Sequence, residues 1–330
     1  MKYLRLLLGA LLITLLLAGA GCGAALTDDT DDPFLLSLAE SVDTTRMMET
    51  IEYMASEALR GRPSGSVQSQ ELEAFLEERM AELGLVPLDE LGLDSYRQEF
   101  PVPSDRCFLE DPPPADTPIT CANILAKIPG ASSEEMIVLT ANYDGLGVDA
   151  SSGAIYPGAD YNASGASAVL ELARIFSALE YAPEKTLVFA LLGAEECGVF
   201  GSAALAEAFE TEGLRDSVRI INVEGIGAGD GYYMDVWDLN YRKNRPTVEA
   251  LDTAASLLEV VLELGGADPG TSASTFFLYH MPAVTCDWSW FERDSHPDFH
   301  LPSDTPDKIN QAGLLQVTQV LAVATWTLAN

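Results

Sequence analysis

Short apolar runs at positions 99–102, 122–128, 136–140, 186–192, 218–223 and 283–286 have the length of strands, and the run at 186–192 carries no charge. Between them apolar residues recur at helical spacing: at 41–54 (through Met47, Ile51 and Met54), 71–83, 164–179, 201–209, 248–264 and 307–328. Gly61-Arg62-Pro63 breaks the first of these segments, and Gly84 stands where the second needs a C-cap. Apolar strands alternating with amphipathic helices predict an α/β fold. We expect a single domain with a central mixed, mostly parallel sheet and helices on both faces. No internal repeat and no second linker divides it.

The first residues follow a different pattern. Lys2 and Arg5 precede an apolar run at 6–17, and Ala18-Gly19-Ala20-Gly21-Cys22 follows it. This is the plan of a secretory signal, and small residues ending in Cys22 look like a lipoprotein processing site. Ordinary cleavage after Ala20, or an uncleaved anchor, are the alternatives. The expected division is a signal peptide at 1–21, a lipidated N-terminus and acidic tether at 22–42, and the folded domain at 43–330. The protein is then exported to the cell envelope and lipid-anchored, or secreted.

The chain has 330 residues, 48% of them hydrophobic, which is enough to bury a core. Its 51 acidic and 18 basic side chains give a formal charge of -33. A polyanion of this size is repelled by phosphate backbones, so nucleic acid is excluded as a partner, and contact with membrane is expected only through the lipid. In an exported protein the cysteines are free to pair. Cys107 and Cys121 bracket a proline-rich loop, and a bridge between them is expected. Cys197 and Cys286 are left either as a second pair or as two buried thiols.

In a largely parallel sheet, ligands collect at the carboxyl ends of the strands, and the polar clusters of this chain fall there. Asn142-Tyr143-Asp144-Gly145 follows the third run, Glu195-Glu196-Cys197-Gly198 the fourth and Glu224-Gly225 the fifth. Gly158-Ala159-Asp160-Tyr161-Asn162 precedes a helix, and His296 and His300 lie in the loop after the last strand. His296 reads as a surface or supporting residue and His280 as a packed or capping one. Trp288, Trp290 and Phe291 read as core by default, with a pocket as the alternative. Asn162-Ala163-Ser164 matches a glycosylation sequon that the fold would bury. The chain has no Gly-x-Ser-x-Gly elbow, no His-Glu-x-x-His and no phosphate-cradling loop.

Five segments, in order and spacing, resemble the zinc exopeptidases that include secreted aminopeptidases, glutamate carboxypeptidases and glutaminyl cyclases. They are the stretch from Met54 to Pro63, Asn123 to Gly130, Gly158 to Gly165, Ala194 to Ser202, and Ser303 to Ile309. The resemblance covers about 43–330. It implies two zinc ions bridged by one carboxylate, with a Glu as general base. Carried over residue by residue, Glu195 stands at the general-base position, and Glu196 and His300 at ligand positions. Glu224 stands where the last Asp ligand is expected. Asp144 corresponds to the carboxylate that orients the first ligand His, and Asp160 adjoins the bridging position.

Two ligand positions depart from the pattern. Asn142 stands in place of the first His, and Tyr161 in place of the bridging Asp. A phenol with a pKa near 10 is neutral at pH 7 and gives two dications no anion to share. An amide oxygen is a poor zinc ligand beside imidazole. The expectation is therefore an exported peptidase-like protein, catalytically impaired, that holds one zinc or none rather than two and acts by binding a peptide or protein. The alternatives are an active metal-dependent aminopeptidase and a single-zinc, cyclase-like enzyme acting on peptides.

Overall fold

A strand buried on both faces offers no side to water, and the two longest strands that are buried at every position are β4 (Met136–Asn142) and β5 (Thr186–Leu192), among the described residues. They lie side by side in parallel register, Leu139 opposite Phe189, at the centre of the sheet. The computed structural model describes residues 32–114, 117–132, 134–229, 232–239, 241–266, 270–288 and 296–330. The expected signal segment, Cys22, Trp290 and Phe291 lie outside the described residues.

Among the described residues nine strands form one sheet in the order β1 (Val86–Pro87), β3 (Pro118–Ile128), β5, β4, β6 (Val218–Val223), β9 (Ala283–Trp288), β7 (Tyr233–Trp237) and β8 (Val261–Gly265), with β2 (Arg97–Pro103) also paired to β3. The β5-β4-β6-β9 centre is parallel, and so is β7 with β8. The β1, β2 and β5 pairings of β3, and that of β7 with β9, are antiparallel.

Side-chain alternation along the central strands separates two cores. Ile137, Leu139, Ala141, Leu187, Phe189 and Leu191 point to one face. There they meet α2 (Thr44–Met54), α3 (Val67–Glu82), α4 (Gly165–Ser177), α6 (Arg245–Leu257) and α8 (Gln311–Ala329). Met136, Val138, Val188, Ala190 and Leu192 point to the other, under α5 (Phe200–Thr211) and α7 (Ser272–Leu278). Helix α2 shows why these segments are helical. Asp43 caps it by accepting from the Thr45 and Arg46 amides, and Met47, Ile51 and Met54 form its buried stripe. The apolar α8 is long enough to span a membrane, yet most of it is buried in the fold.

The architecture is the single mixed α/β domain expected from the sequence, and the differences are local. The segment read as one helix at 248–264 is α6 followed by β8. Glu259, at φ 55°, takes the left-handed conformation and ends the helical path. Strand β7 and helix α7 were not anticipated. Helix α1 (Pro33–Glu40) lies within the stretch expected as tether; Asp32 caps it, and it packs on α8. Trp288 is core, as expected. His280 is exposed in a left-handed turn just past α7. Asn162 of the sequon is fully buried.

The disulfide expectation is corrected. Cys107 is bonded to Cys197, not to Cys121, and both Cys121 and Cys286 are buried thiols. The register explains the partner: β2 and β3 place Cys121 opposite Phe100, so Cys107 lies past the end of β2 and turns toward the loop after β5. A bridge across 90 residues stabilises the fold by about 4–5 kcal/mol in the chain-entropy model. Burial pushes the Cys121 thiol up to about 12, with the charges of Asp144 and Glu73 adding to it. Non-reducing peptide mapping should recover a Cys107–Cys197 cross-link, and Cys121 should alkylate only after unfolding. A Cys107–Cys121 peptide would contradict this pairing.

Candidate functional site

The strand ends and loops bring the predicted residues to one edge of the sheet. Asn142 ends β4, Glu195 and Glu196 follow β5, and Glu224 follows β6. Tyr161 comes from the turn before α4, and His300 from the loop after β9. These six line one cavity of about 260 Å³, together with Phe299 and the 270–272 segment. Asp144 and Asp160 are buried behind its wall.

Asp144, Glu195 and Glu224 are each held by donors from their own chain. Asp144 accepts from the Glu195 amide (3.3 Å), the Glu196 amide (3.1 Å) and the Ser64 hydroxyl (3.1 Å), with the Asn142 amide group at 3.4 Å. Its pKa is nonetheless raised, first by burial and then by the charge of Glu196. Glu195 lies in the turn between β5 and α5, where the Ser202 amide donates at 2.6 Å and the Ser202 and Ser272 hydroxyls at 3.1 and 2.5 Å. Gly201 leaves room for that approach, because a Cβ there would lie 2.1 Å from the Gly193 carbonyl and 3.1 Å from Glu195 Oε1. Burial is the largest influence on Glu195 and pushes its carboxyl up to about 8 against the bonds from Ser272 and Ser202.

Tyr161 is the centre of the departure. Its hydroxyl donates to Glu224 Oε2 at 2.7 Å, while the Asn222 side chain donates to Glu224 Oε1 at 2.7 Å. Burial, then the Glu224 charge, raises the Tyr161 pKa well above that of an ordinary phenol. The ring meets Phe299 edge to face at 4.7 Å and His300 at 5.3 Å, and Phe299 stacks on His300 at 3.8 Å. Asn142 accepts from the Asn162 side chain at 2.8 Å. Asn162 also donates to the Val223 carbonyl and accepts from the Gly165 and Gly225 amides, which ties β4, β6 and α4 together.

These residues do not fit a zinc pair. The phenol that stands for the bridging carboxylate is neutral, engaged as a donor and buried among rings. The amide that stands for the first His is turned to Asn162 and Asp144. Among the described residues, no group of three or more His, Cys, Asp or Glu side chains is placed to hold a metal ion.

Asp160 supports the turn instead of reaching into the cavity. It accepts from the Gly227 amide at 2.8 Å, and its partner across the turn is His296 Nδ1 at 2.8 Å. Asp304 accepts from the Asp160 and Tyr161 amides at 2.8 and 3.1 Å. His296 is thus a buried support, its Nε2 on the Trp288 carbonyl at 2.8 Å. Beneath the turn, the fully buried Arg62 donates to the carbonyls of Tyr143 (2.8 Å), Met54 (3.2 Å), Pro157 and Gly158 (2.7 Å). Sequence reasoning missed Ser272 and Phe299. The Gly270-Thr271-Ser272 run was a legible helix-start signal for the first, while nothing in the local pattern marked the second.

The sequence profile of peptidase family M28 matches residues 123–325, well over half of the chain. The chain belongs to peptidase family M28. A probable zinc metalloprotease of Pyrenophora teres f. teres is 27% identical over 153 residues, covering 45% of this chain and 31% of that protein. The uncharacterized protein YfbL of Escherichia coli is 27% identical over 232 residues, 61% of this chain and 70% of its own. This M28 chain spans about a fifth to a third of the fungal metalloproteases it matches. Among solved structures, an aminopeptidase from Aneurinibacillus sp. strain AM-1 superposes with a TM-score of 0.70 at 17% identity, covering 90% of this chain and 96% of that one. A glutaminyl cyclase of Fimbriiglobus ruber gives 0.69 at 20%, covering 86% and 95%. At such identities the likeness is one of fold. This chain is an M28-type fold without an assembled metal cluster among its described residues.

The His296–Asp160 pair makes a pH prediction. Burial lowers the imidazole's pKa, but the hydrogen bond and charge of Asp160 outweigh it, so His296 titrates above its ordinary 6.5. A histidine raised on folding contributes fully below its unfolded pKa and loses that contribution as pH rises through the folded value. Asp160→Asn should therefore cost about 3–5 kcal/mol near pH 6, the range for breaking a buried pair. The deficit should narrow as pH rises above 6.5. Denaturant titrations of both proteins across this range would show it, and a deficit independent of pH would count against a charged His296.

Proposed function

We propose that this protein is an M28-type exopeptidase domain that has given up metal-dependent hydrolysis and works by binding a peptide or protein ligand at the same sheet edge. The observation that carries the reading is the 2.7 Å hydrogen bond from Tyr161 to Glu224, at the position where the resemblance expects a metal-bridging carboxylate. A larger cavity of about 600 Å³ supports the binding role. It adjoins the first at His300 and is lined by Arg60, Phe108, Leu146 and Tyr156 among others, a mixture of apolar and charged groups suited to a peptide. The approach of His300 Nε2 to Glu196 Oε1 at 3.5 Å keeps a single-zinc, cyclase-like enzyme as the second reading.

Metal analysis of the purified mature chain tests both. We expect no stoichiometric zinc and no turnover of aminoacyl or peptide substrates. Asn142→His with Tyr161→Asp should restore zinc binding, since Asp144 and Glu195 keep their places, while neither substitution alone should do so. Two zinc ions and efficient hydrolysis in the wild type would replace this reading with an active aminopeptidase, and one zinc would favour the second.

From the N-terminal signal pattern we also propose that the protein is exported to the cell envelope and anchored through Cys22. Cys22→Ala should shift it out of the membrane fraction or stop its processing. Unchanged retention and maturation would remove the lipid anchor from the proposal.

A further inference from the structure

A further cavity lies in the helical layer, away from the carboxyl edge. Residues 46, 50 and 53 of α2, 75, 79 and 82 of α3, and 167, 170, 171 and 174 of α4 recur at helical spacing. Each helix therefore turns one face into a groove of about 620 Å³. The groove shares no residue with the 260 Å³ cavity. Each helix also sends one guanidinium to it: Arg46, Arg79 and Arg174, three of the chain's 18 Lys and Arg side chains. No Lys or Arg lines the 260 Å³ cavity among the described residues.

The three guanidinium groups are held differently. Arg174 donates to both oxygens of Glu171, at 2.9 and 2.6 Å, and to the Ser41 carbonyl at 2.6 Å. Glu171 also accepts from the Asp43 amide at 2.8 Å, so this pair fastens α4 to the start of α2 and is structural. Arg46 meets Asp43 at 3.3 Å and Arg79 meets Glu82 at 2.7 Å, both as i,i+3 contacts between exposed side chains. Pairs of that kind contribute little and give way easily to another anion. What fixes Arg79 is a ring: its guanidinium carbon lies 4.9 Å from the centroid of Phe75, which meets Tyr53 at 4.4 Å. A guanidinium stacked in this way keeps the donors in its plane available for a carboxylate. Both rings are half-buried, and Met47 and Leu170 are buried beneath them.

We propose that this groove binds a small amphipathic carboxylate, its charged end on Arg79 and Arg46 and its apolar body on the rings of Tyr53 and Phe75. The groove lies outside the carboxyl edge, so the proposal stands apart from the metal-free reading of that site. An inorganic anion would leave the rings uncovered, and Arg79 already fills the place over Phe75 that an organic cation would take. Glu49 and Glu82 are the unburied acids of the groove, and both are exposed enough to turn into water. They and the chain's formal charge of -33 favour a monoanion over a phosphate dianion.

The carboxylate can belong to a free acid or to the last residue of a peptide, and the test separates them. NMR titration of the mature chain would use 4-phenylbutyrate, N-acetylphenylalanine and, as the charge-reversed control, 4-phenylbutylammonium. Salt at about 0.15 M screens the long-range repulsion of the polyanion. We expect 4-phenylbutyrate to saturate with a dissociation constant on the order of 1 mM, and the ammonium to bind about tenfold more weakly or not at all. Arg79→Gln should weaken the acid about fivefold and Phe75→Leu about threefold, each at an unchanged melting temperature. Arg46→Gln, on an exposed side chain, should weaken it as well without disturbing any packing. Tighter binding of N-acetylphenylalanine would assign the groove to a peptide C-terminus, and weaker binding to a free acid; either ranking sustains the proposal. Failure of both acids to saturate overturns it, as does equal binding of the ammonium. Undiminished affinity in both arginine variants also overturns it, because binding would then lie elsewhere on the chain.

Discussion

A carboxylate taken out of water must be given donors or a cation, and the carboxyl edge of this sheet is built around that requirement. Backbone amides supply much of the solution. Asp144 gathers those of Glu195 and Glu196, and Asp304 those of Asp160 and Tyr161. Serines at the starts of α5 and α7 serve Glu195, and a tyrosine and an asparagine serve Glu224. The same donors fix the loops that carry these side chains, so the solvation of the acids and the shape of the cavity are one network. Arg62 extends it below, with its guanidinium spent on backbone carbonyls and its pKa drawn down to about 10 by burial.

How far the fold could be read from the chain depended on whether a segment's pattern had one structural meaning. The runs of β4 and β5 are buried on both faces, and unbroken apolar sequence at strand length says so. Val261, Leu262 and Leu264 continue the helical spacing of α6, and only the left-handed turn at Glu259 divides them from it. No Gly or Pro advertises that turn. Strand β7 is short and follows a glycine-rich stretch, so its five residues gave little periodicity to read. The site was more legible because its residues follow strand ends, a rule of topology that needs no side-chain detail. What the sequence could not supply were contacts across long separations, such as Ser272 with Glu195, His296 with Asp160, and Cys107 with Cys197.

Family membership does not fix the chemistry at positions 142 and 161. The M28 profile and the superpositions rest on the sheet, the helices and the loops between them, and none of these requires the residues at 142 and 161 to be ligands. Asn142 and Tyr161 are both compatible with the fold. Each brings a polar group that the surrounding network can satisfy, Asn142 through Asn162 and Asp144, Tyr161 through Glu224. Two carboxylates or imidazoles replaced by apolar residues would have left those partners without donors or acceptors.

The Cys107–Cys197 bridge also changes what a cut in the backbone would mean. Residues 108–113 form a loop that is largely exposed, the kind of segment in which proteases nick folded chains. The piece upstream of such a nick carries α1, α2, α3 and β2, together with Arg62 of the site's foundation. Because Cys107 lies on that piece and Cys197 on the other, beside Glu196, the two fragments would stay covalently joined. Clipped molecules would keep both halves of the cavity joined for as long as the bridge stays oxidised.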